Sequence, residues 1–115
     1  MKLEETEAQI QRASLEWLRA NHFLCWRNGN QPTPIRKGKY ITGFYRSDAF
    51  TVGSPDVYVV LPDGRLSGLE LKSAKGKVSE SQIVWMDRLL DTGADYCLAR
   101  SVDETIAHYS KFIKK

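Results

Sequence analysis

The sequence predicts an α/β fold in which a central mixed sheet of about four or five strands is flanked by helices. Three observations predict this class: apolar residues at helical spacing near the N-terminus, two short apolar runs joined by a tight turn, and two later helix starts with capping boxes. The order helix, strand, hairpin, helix, strand, helix is typical of helices packed on the faces of a sheet. With 115 residues, the chain is predicted to form a single domain over residues 1–115.

The N-terminal third begins with a predicted helix and strand. The helix covers Leu3 to Ala20, and its apolar spacing predicts an inward face of Ile10, Ala13, Trp17 and Leu18. The strand covers Phe23 to Arg27, where the residues are apolar and favour β structure. Residues Asn28 to Ala49 are rich in glycine and proline, and we expect a long loop there.

The two apolar runs, Asp56–Leu61 and Leu66–Lys72, are joined by Pro62-Asp63-Gly64, which predicts a β-hairpin. If Leu61 faces Arg65 across the turn, facing residues have numbers that sum to 126. Asp56 then stands opposite Glu70 or one residue out of register with it. Because side chains alternate along a strand, Glu70 and Lys72 share one face and bring their charges next to Asp56.

The C-terminal third predicts a helix, a strand and a last helix. The helix begins at Ser79, and Ser79 with Gln82 fits a capping box. The strand covers Asp95 to Arg100, and Ser101 opens the last helix, on which His108 is interpreted as a surface residue. The predicted inward residues of the two helices are Ile83, Met86, Leu89 and Leu90, then Val102, Ile106, Tyr109 and Ile113.

Composition excludes several classes of protein. No apolar run approaches the roughly 20 residues of a membrane helix, and the acidic N-terminus is not a signal peptide. We therefore expect a cytoplasmic protein with no membrane partner. Cys25 and Cys97 lack zinc-site spacing and sit among apolar neighbours, so two free buried thiols are expected. The net charge of +3 is too small to identify a polyanionic partner by itself.

The hairpin places two carboxylates and a lysine together, which predicts a metal site. Facing residues have Cβ atoms roughly 4.5–5.5 Å apart, and like charges at that distance destabilise the pair. Asp56 and Glu70 must therefore share a proton or hold a cation, and oxygen ligands suit Mg²⁺ or Mn²⁺. With Lys72 beside them, such a site can hydrolyse a phosphodiester. The alternative is an ordinary polar face of a hairpin with its charges in water.

Basic residues lie on both sides of this hairpin in the sequence. Residues Asn28 to Ala49 mix basic and aromatic residues, and Lys72 to Lys77 carries three lysines. Cations bind phosphate and rings stack on bases, so both segments suit nucleic acid, although a solvated loop and a basic turn explain them too. An exchange of the first segment between subunits is a further alternative. The expected DNA contacts are Arg36, Lys37, Lys39, Arg46, Ser54, Lys75 and Lys77.

An ordered set of motifs resembles a known family. Gly53-x-Pro55-Asp56 is followed by Glu70-Leu71-Lys72, by Gly76-Lys77-x-Ser79-x-x-Gln82, and then by Trp85 and Gly93-Ala94. This order is similar to the virus-type replication-repair nuclease (VRR-NUC) domain of the PD-(D/E)xK nuclease superfamily, from Glu7 to about Thr105. The resemblance implies a restriction-endonuclease-like core.

The resemblance also implies roles for single residues. Glu7, with Glu4 as the fallback, matches the acidic ligand that the superfamily often carries on its first helix; a first-turn glutamate favoured by the helix dipole is the alternative. Gln82 would orient the phosphate or the attacking water, whereas the capping box explains it structurally. Asp56, Glu70 and the Leu71 backbone carbonyl would bind Mg²⁺ or Mn²⁺. Lys72 would act on the phosphate or the attacking water, mainly through its charge.

The expected function is metal-dependent cleavage of DNA. Small stand-alone members of the family resemble Holliday-junction-resolving enzymes, so we expect a homodimeric, structure-specific endonuclease that is encoded by a phage or prophage and acts on branched DNA in a bacterial host cell. The first alternative is a flap-cutting, nicking or restriction-type nuclease with the same chemistry. The second is a non-catalytic DNA-binding module, which the intact Asp56, Glu70 and Lys72 argue against.

Overall fold

The computed structural model describes residues 4–29, 33–45 and 52–113 of the chain. A four-stranded sheet lies between helices on both of its faces, which confirms the predicted α/β class. In chain order the elements are α1 (Glu7–Ala20), β1 (Leu24–Arg27), β2 (Thr33–Lys37), β3 (Tyr40–Tyr45), β4 (Val57–Val60), β5 (Leu66–Leu71), α2 (Glu80–Asp91), β6 (Asp95–Ala99), α3 (Val102–Tyr109) and a final 3₁₀ turn (Ser110–Phe112).

The sheet has the order β1-β4-β5-β6. The first two pairs are antiparallel, and β5 pairs with β6 in parallel, so the sheet is mixed as predicted. Val57 faces Leu69, and the Leu61 amide donates to the Arg65 carbonyl at 2.8 Å. Facing residues therefore sum to 126, and the predicted hairpin register is confirmed. Continued by one place, this register sets Asp56 opposite Glu70.

The core lies on the face of the sheet that α1 and α3 cover. Alternate strand residues such as Val57, Val59 and Leu69 are fully buried there. The two helices meet at a buried bond of 2.8 Å between the hydroxyls of Ser14 and Thr105. Helix α2 covers the opposite face, where the absence of a side chain at Gly68 leaves room for Leu89.

Three helix predictions need correction. The first helix begins at Glu7 and not at Leu3, because Thr6 caps it: the Thr6 hydroxyl accepts from the Gln9 amide, and Gln9 Oε1 accepts from the Thr6 amide. On α2 only Leu89 is buried, while the predicted inward residues Ile83 and Leu90 are about half exposed. The reason is that α2 packs against β5 and β6 mainly through Leu89, which leaves the neighbouring helix positions exposed.

The last helix also differs from its prediction. Its buried residues are Thr105 and Tyr109, whereas Ile113 is exposed. The His108 ring is not a surface group, because its Nε2 lies 2.6 Å from a carboxylate oxygen of Asp95. The Ser67 hydroxyl donates to the same oxygen and bonds the buried Tyr109 hydroxyl. A polar network thus fixes α3 to β5 and β6, which apolar spacing alone could not predict.

The segment predicted as a long loop contains a second hairpin. Strands β2 and β3 pair with each other in a separate two-stranded sheet, joined by a turn at Gly38 and Lys39. The prediction of a loop over Asn28 to Ala49 is therefore wrong for residues 33–45. The turn requires a positive φ of 62° at Gly38, which glycine adopts without strain. No helix within the described residues is long and apolar enough to cross a membrane.

Candidate active site

Three carboxylates meet at the end of the β4–β5 hairpin. One oxygen atom from each of Glu7, Asp56 and Glu70 lies within 4.8 Å of the other two. Glu7 is the first residue of α1, Asp56 precedes β4, and Glu70 is on β5. The structure therefore brings together the three predicted acids, and it places Glu7 in the cluster. Glu4, the fallback, instead lies 3.8 Å from Lys75 in an exposed ion pair.

The Asp56 carboxylate takes the place of a backbone acceptor in the strand ladder. Its Oδ2 accepts a 2.9 Å hydrogen bond from the Leu71 amide. By the register, the residue opposite Leu71 is Pro55, which has no amide hydrogen to donate in return. The amide and the carbonyl of one strand residue point to the same side, so the Leu71 carbonyl faces the edge where Asp56 lies. This position suits the predicted ligand role of that carbonyl.

Glu70 is a buried acid in which one of the two carboxyl oxygens is hydrogen-bonded and the other is not. Its side chain is 1% exposed. One oxygen, Oε1, accepts from Gln82 Nε2 at 3.1 Å, whereas Oε2 is buried and has no partner among the described residues. Burial, reinforced by Asp56, raises the pKa of Glu70 to about 9. An unpartnered buried carboxylate oxygen is costly, and a cation between the three acids would satisfy it.

The charges around the cluster act on each other. Burial raises the pKa of Glu7, and the neighbouring Asp56 raises it further. Lys72 opposes this shift for both Glu7 and Glu70, so its ammonium group lies close enough to act on the cluster electrostatically. Within the described part of the chain, no acid lies within ion-pairing distance of Lys72.

Gln82 makes the predicted capping-box interaction and also contacts the acid cluster. Its Oε1 accepts from the Ser79 amide at 2.9 Å, which completes the capping box of α2. Its Nε2 donates to Glu70. One amide group thus joins the start of α2 to the acid cluster. The predicted role of Gln82 on phosphate or water stays a prediction.

Gly53 fixes the approach of α2 to the loop that carries Asp56. It has φ +89°, and a Cβ built there would lie 2.5 Å from the Ser81 carbonyl carbon. Any side chain would therefore displace the first turn of α2. Asn28 holds the same loop from the other side: its amide donates to the Asp56 carbonyl, and its Nδ2 donates to Ser54 Oγ and to the Pro55 carbonyl.

The predicted DNA contacts divide into three groups. Arg36, Lys37 and Lys39 lie exposed on the β2–β3 hairpin, and Lys75 and Lys77 lie exposed after β5. Ser54 is 4% exposed and bonds Asn28, so its predicted contact with DNA is not compatible with its position. Arg46 lies outside the described residues.

Three residues near the site carried no signal in the sequence. Asn28 orients the Asp56 loop, as described above. Arg100 Nη1 donates to the Ser73 and Gly76 carbonyls at 2.8 and 2.7 Å and so fixes the loop after Lys72. Tyr96 is half-buried, and its pKa is raised by burial and by the charges of Glu70 and Asp56, which places its hydroxyl near the acids. Only the register between β5 and β6 reveals the last two.

Comparison with known proteins agrees with this geometry. The model of the VRR-NUC domain family matches residues 5–103, which is most of the chain. The chain belongs to the VRR-NUC family. A solved structure described as a VRR_NUC domain is similar in fold, with a TM-score of 0.60 and 23% identity over 91% of this chain and 99% of the other. A search of curated protein sequences finds no match. This VRR-NUC chain is therefore a nuclease-type domain with the fold that the motifs implied.

Proposed function

We propose that this VRR-NUC protein is a Mg²⁺- or Mn²⁺-dependent endonuclease that cleaves branched DNA, with Holliday junctions as substrate and a homodimer as the active form. The observation that carries the proposal is the acid cluster, in which the buried Glu70 Oε2 lacks a partner beside Asp56 and Glu7. Without a cation this arrangement favours a protonated Glu70, whereas a hard divalent ion, which prefers such oxygen ligands, would let the three acids ionise together.

The residues at hand fit a divalent cation. Asp56, Glu70 and the Leu71 carbonyl would hold it, and Glu7 would support it directly or through water. When bound, such an ion stabilises charge on the phosphate and lowers the pKa of a water molecule. Glu70 is held in place by Gln82, and Asp56 by the Leu71 amide, so both acids are oriented before any ligand arrives.

Lys72 and Gln82 complete the proposed mechanism. Lys72 adds positive charge beside the acids, where it would pair with the phosphate or position the attacking water. Gln82 donates one Nε2 hydrogen to Glu70, and its second Nε2 hydrogen would position the same water or phosphate. The exposed basic residues Arg36, Lys37 and Lys39 of the β2–β3 hairpin, together with Lys75 and Lys77, would contact the DNA backbone.

The choice of substrate rests on symmetry and on the recognition surface. Cutting two strands symmetrically needs two active sites, which a two-fold homodimer supplies. The sequence contains no zinc-finger spacing and no RNA-binding signature, which favours recognition of DNA shape over bases. A phage or prophage origin and action inside a bacterial cell belong to the same proposal.

A cleavage assay on three substrates tests this function. Wild type and Asp56→Asn are incubated with Mg²⁺ and labelled four-way junction, flap or linear duplex, and their size in solution is measured in parallel. We expect dimeric wild type to cut the junction symmetrically, and Asp56→Asn to bind it without cutting. Preference for flaps would indicate the related nuclease class, and tight binding without cleavage by wild type would contradict the enzymatic proposal.

A further inference from the structure

A basic groove runs along α1 beside the open edge of the sheet. It encloses about 350 Å³ between one side of the helix and the end of β1, and Leu15 forms part of its apolar wall. Three arginines, Arg12, Arg19 and Arg27, line it together with one acid, Glu16. Neither the metal site nor the predicted DNA contacts use any of these arginines.

This groove carries a net positive charge, because its three arginines outnumber its one acid, Glu16. In the residues that the structure describes, no carboxylate lies within 4 Å of Arg12, Arg19 or Arg27. Arg19 lies against the Cys25 thiol, which is not an acidic partner. Arginine guanidinium groups bind phosphate oxygens in a bidentate manner, and an excess of one sign of charge in a cleft, here three arginines against Glu16, concentrates its field. The groove therefore has the chemistry of a phosphate-binding surface.

The edge strand adds a backbone donor to the same groove. Among the described residues, strand β1 pairs only with β4, and no strand of that part of the chain covers its other edge. The Asn28 amide donates to the Asp56 carbonyl, and bonding to β4 alternates along an antiparallel strand. The amide of Arg27 consequently points away from β4, toward the open edge, where it can bind a phosphate oxygen.

The groove leads directly to the acid cluster. Ala8, at one end of it, follows Glu7, and Arg27 precedes Asn28, which bonds the Asp56 loop. From Ala8 to Arg19 the helix advances roughly 16 Å at 1.5 Å per residue. With about 3.4 Å between successive phosphates of one strand along the helix axis, this length corresponds to roughly five nucleotides.

We propose that this groove binds the phosphodiester backbone of the DNA strand flanking the cleaved bond, with Arg12 and Arg27 as its main phosphate contacts. The proposal rests on the proposed nuclease function and adds a second DNA-binding surface to the β2–β3 hairpin. It assigns recognition of backbone and shape to α1, without reading of bases.

The test measures how DNA affinity depends on salt. Wild type, Arg12→Ala/Arg27→Ala and Arg12→Lys/Arg27→Lys are titrated onto a four-way junction in EDTA, between 0.05 and 0.5 M salt. The control is Arg65→Ala/Lys111→Ala, which removes the same charge from exposed positions outside the groove. All four positions are exposed, so we expect every variant to fold. Thermal unfolding of each variant checks this.

Loss of two phosphate contacts reduces the slope of log affinity against log salt by about 1.8, which corresponds to roughly 60-fold weaker binding at 0.1 M salt. We expect this loss for the double alanine variant alone. A slope equal to wild type in that variant, or an equal loss in the lysine variant, would overturn the groove proposal. If wild type cuts DNA with Mg²⁺ and the double alanine variant still binds normally, only the groove fails; if wild type neither binds nor cuts, the proposed function fails with it.

Discussion

Replacement of Glu70 by glutamine should stabilise the metal-free protein while it abolishes cleavage. Glu70 is 1% exposed, and burial raises its pKa to about 9. An unfolded glutamate has a pKa near 4.3 and is ionised at pH 7, whereas the folded protein keeps Glu70 protonated. Folding at pH 7 must therefore take up a proton from the solvent, which costs free energy. Each pH unit between the unfolded pKa and the solvent pH costs about 1.4 kcal/mol, so the cost at pH 7 is roughly 4 kcal/mol. Glutamine has nearly the same shape and avoids this cost.

The sign of the pH dependence follows from the same shift. Because the folded protein binds one more proton than the unfolded chain between about pH 4.5 and 9, wild-type stability falls as pH rises through that window. Below about pH 4.5 the folded and unfolded states both hold this proton, so the buried Glu70 costs no stability there. Glu70→Gln lacks the titrating group, so its free energy of unfolding should change less with pH across the window.

Urea unfolding in EDTA at pH 5, 6, 7 and 8 measures both effects. Glu5→Gln is the control, because it removes an exposed carboxyl outside the cluster. In a second series without EDTA, Mn²⁺ should raise wild-type stability, by about 2.7 kcal/mol at one hundred times the dissociation constant, and leave Glu70→Gln unchanged. A metal-free Glu70→Gln that is less stable than wild type at pH 8, with an unchanged pH slope, would refute the reasoning.

Three further predictions concern the groups around the acids. Gln82→Ala should lower the cleavage rate by about 10- to 100-fold, because Glu70 loses the bond that orients it. Ser79→Ala removes only the helix cap, so it should cost about 1 kcal/mol in urea unfolding and leave the cleavage rate nearly unchanged. Arg100→Met should loosen the loop after Lys72 and cost about 1.5–3 kcal/mol, with weaker junction binding in gel-shift titrations; unchanged binding would show that the loop does not contact DNA. Tyr109→Phe should cost about 1–2 kcal/mol in urea unfolding without loss of cleavage, and a loss of cleavage at normal stability would contradict its structural role.

Local signals in the sequence predicted much of the hairpin and of the acid pair. The turn Pro62-Asp63-Gly64 fixes which residues face each other, and the strand alternation then brings Glu70 to Asp56. The same reasoning predicted the capping box of Ser79 and Gln82, because that motif involves residues only three positions apart. The two cysteines are free and buried as expected.

What the sequence could not predict depends on contacts between distant residues. The bond from Gln82 to Glu70 requires the docking of α2 on the sheet, which no local pattern encodes. Likewise, the His108–Asp95 pair arises only when α3 lies against β6. The start of α1 is different, because it is encoded locally: Thr6 and Gln9 form a capping box, which begins the helix at Glu7 and not at the predicted Leu3.

The absence of space at Gly53 has a consequence for how the protein can respond to DNA. Ser81 sits so close to this backbone that a methyl group would collide with it, and the two residues adjoin Asp56 on one side and Gln82 on the other. A larger residue at position 53 would therefore displace the first turn of α2 and, with it, Gln82 beside the acids. For this reason we expect adjustment to a bent or branched substrate to come from the β2–β3 hairpin and from long basic side chains, with the acids left undisturbed.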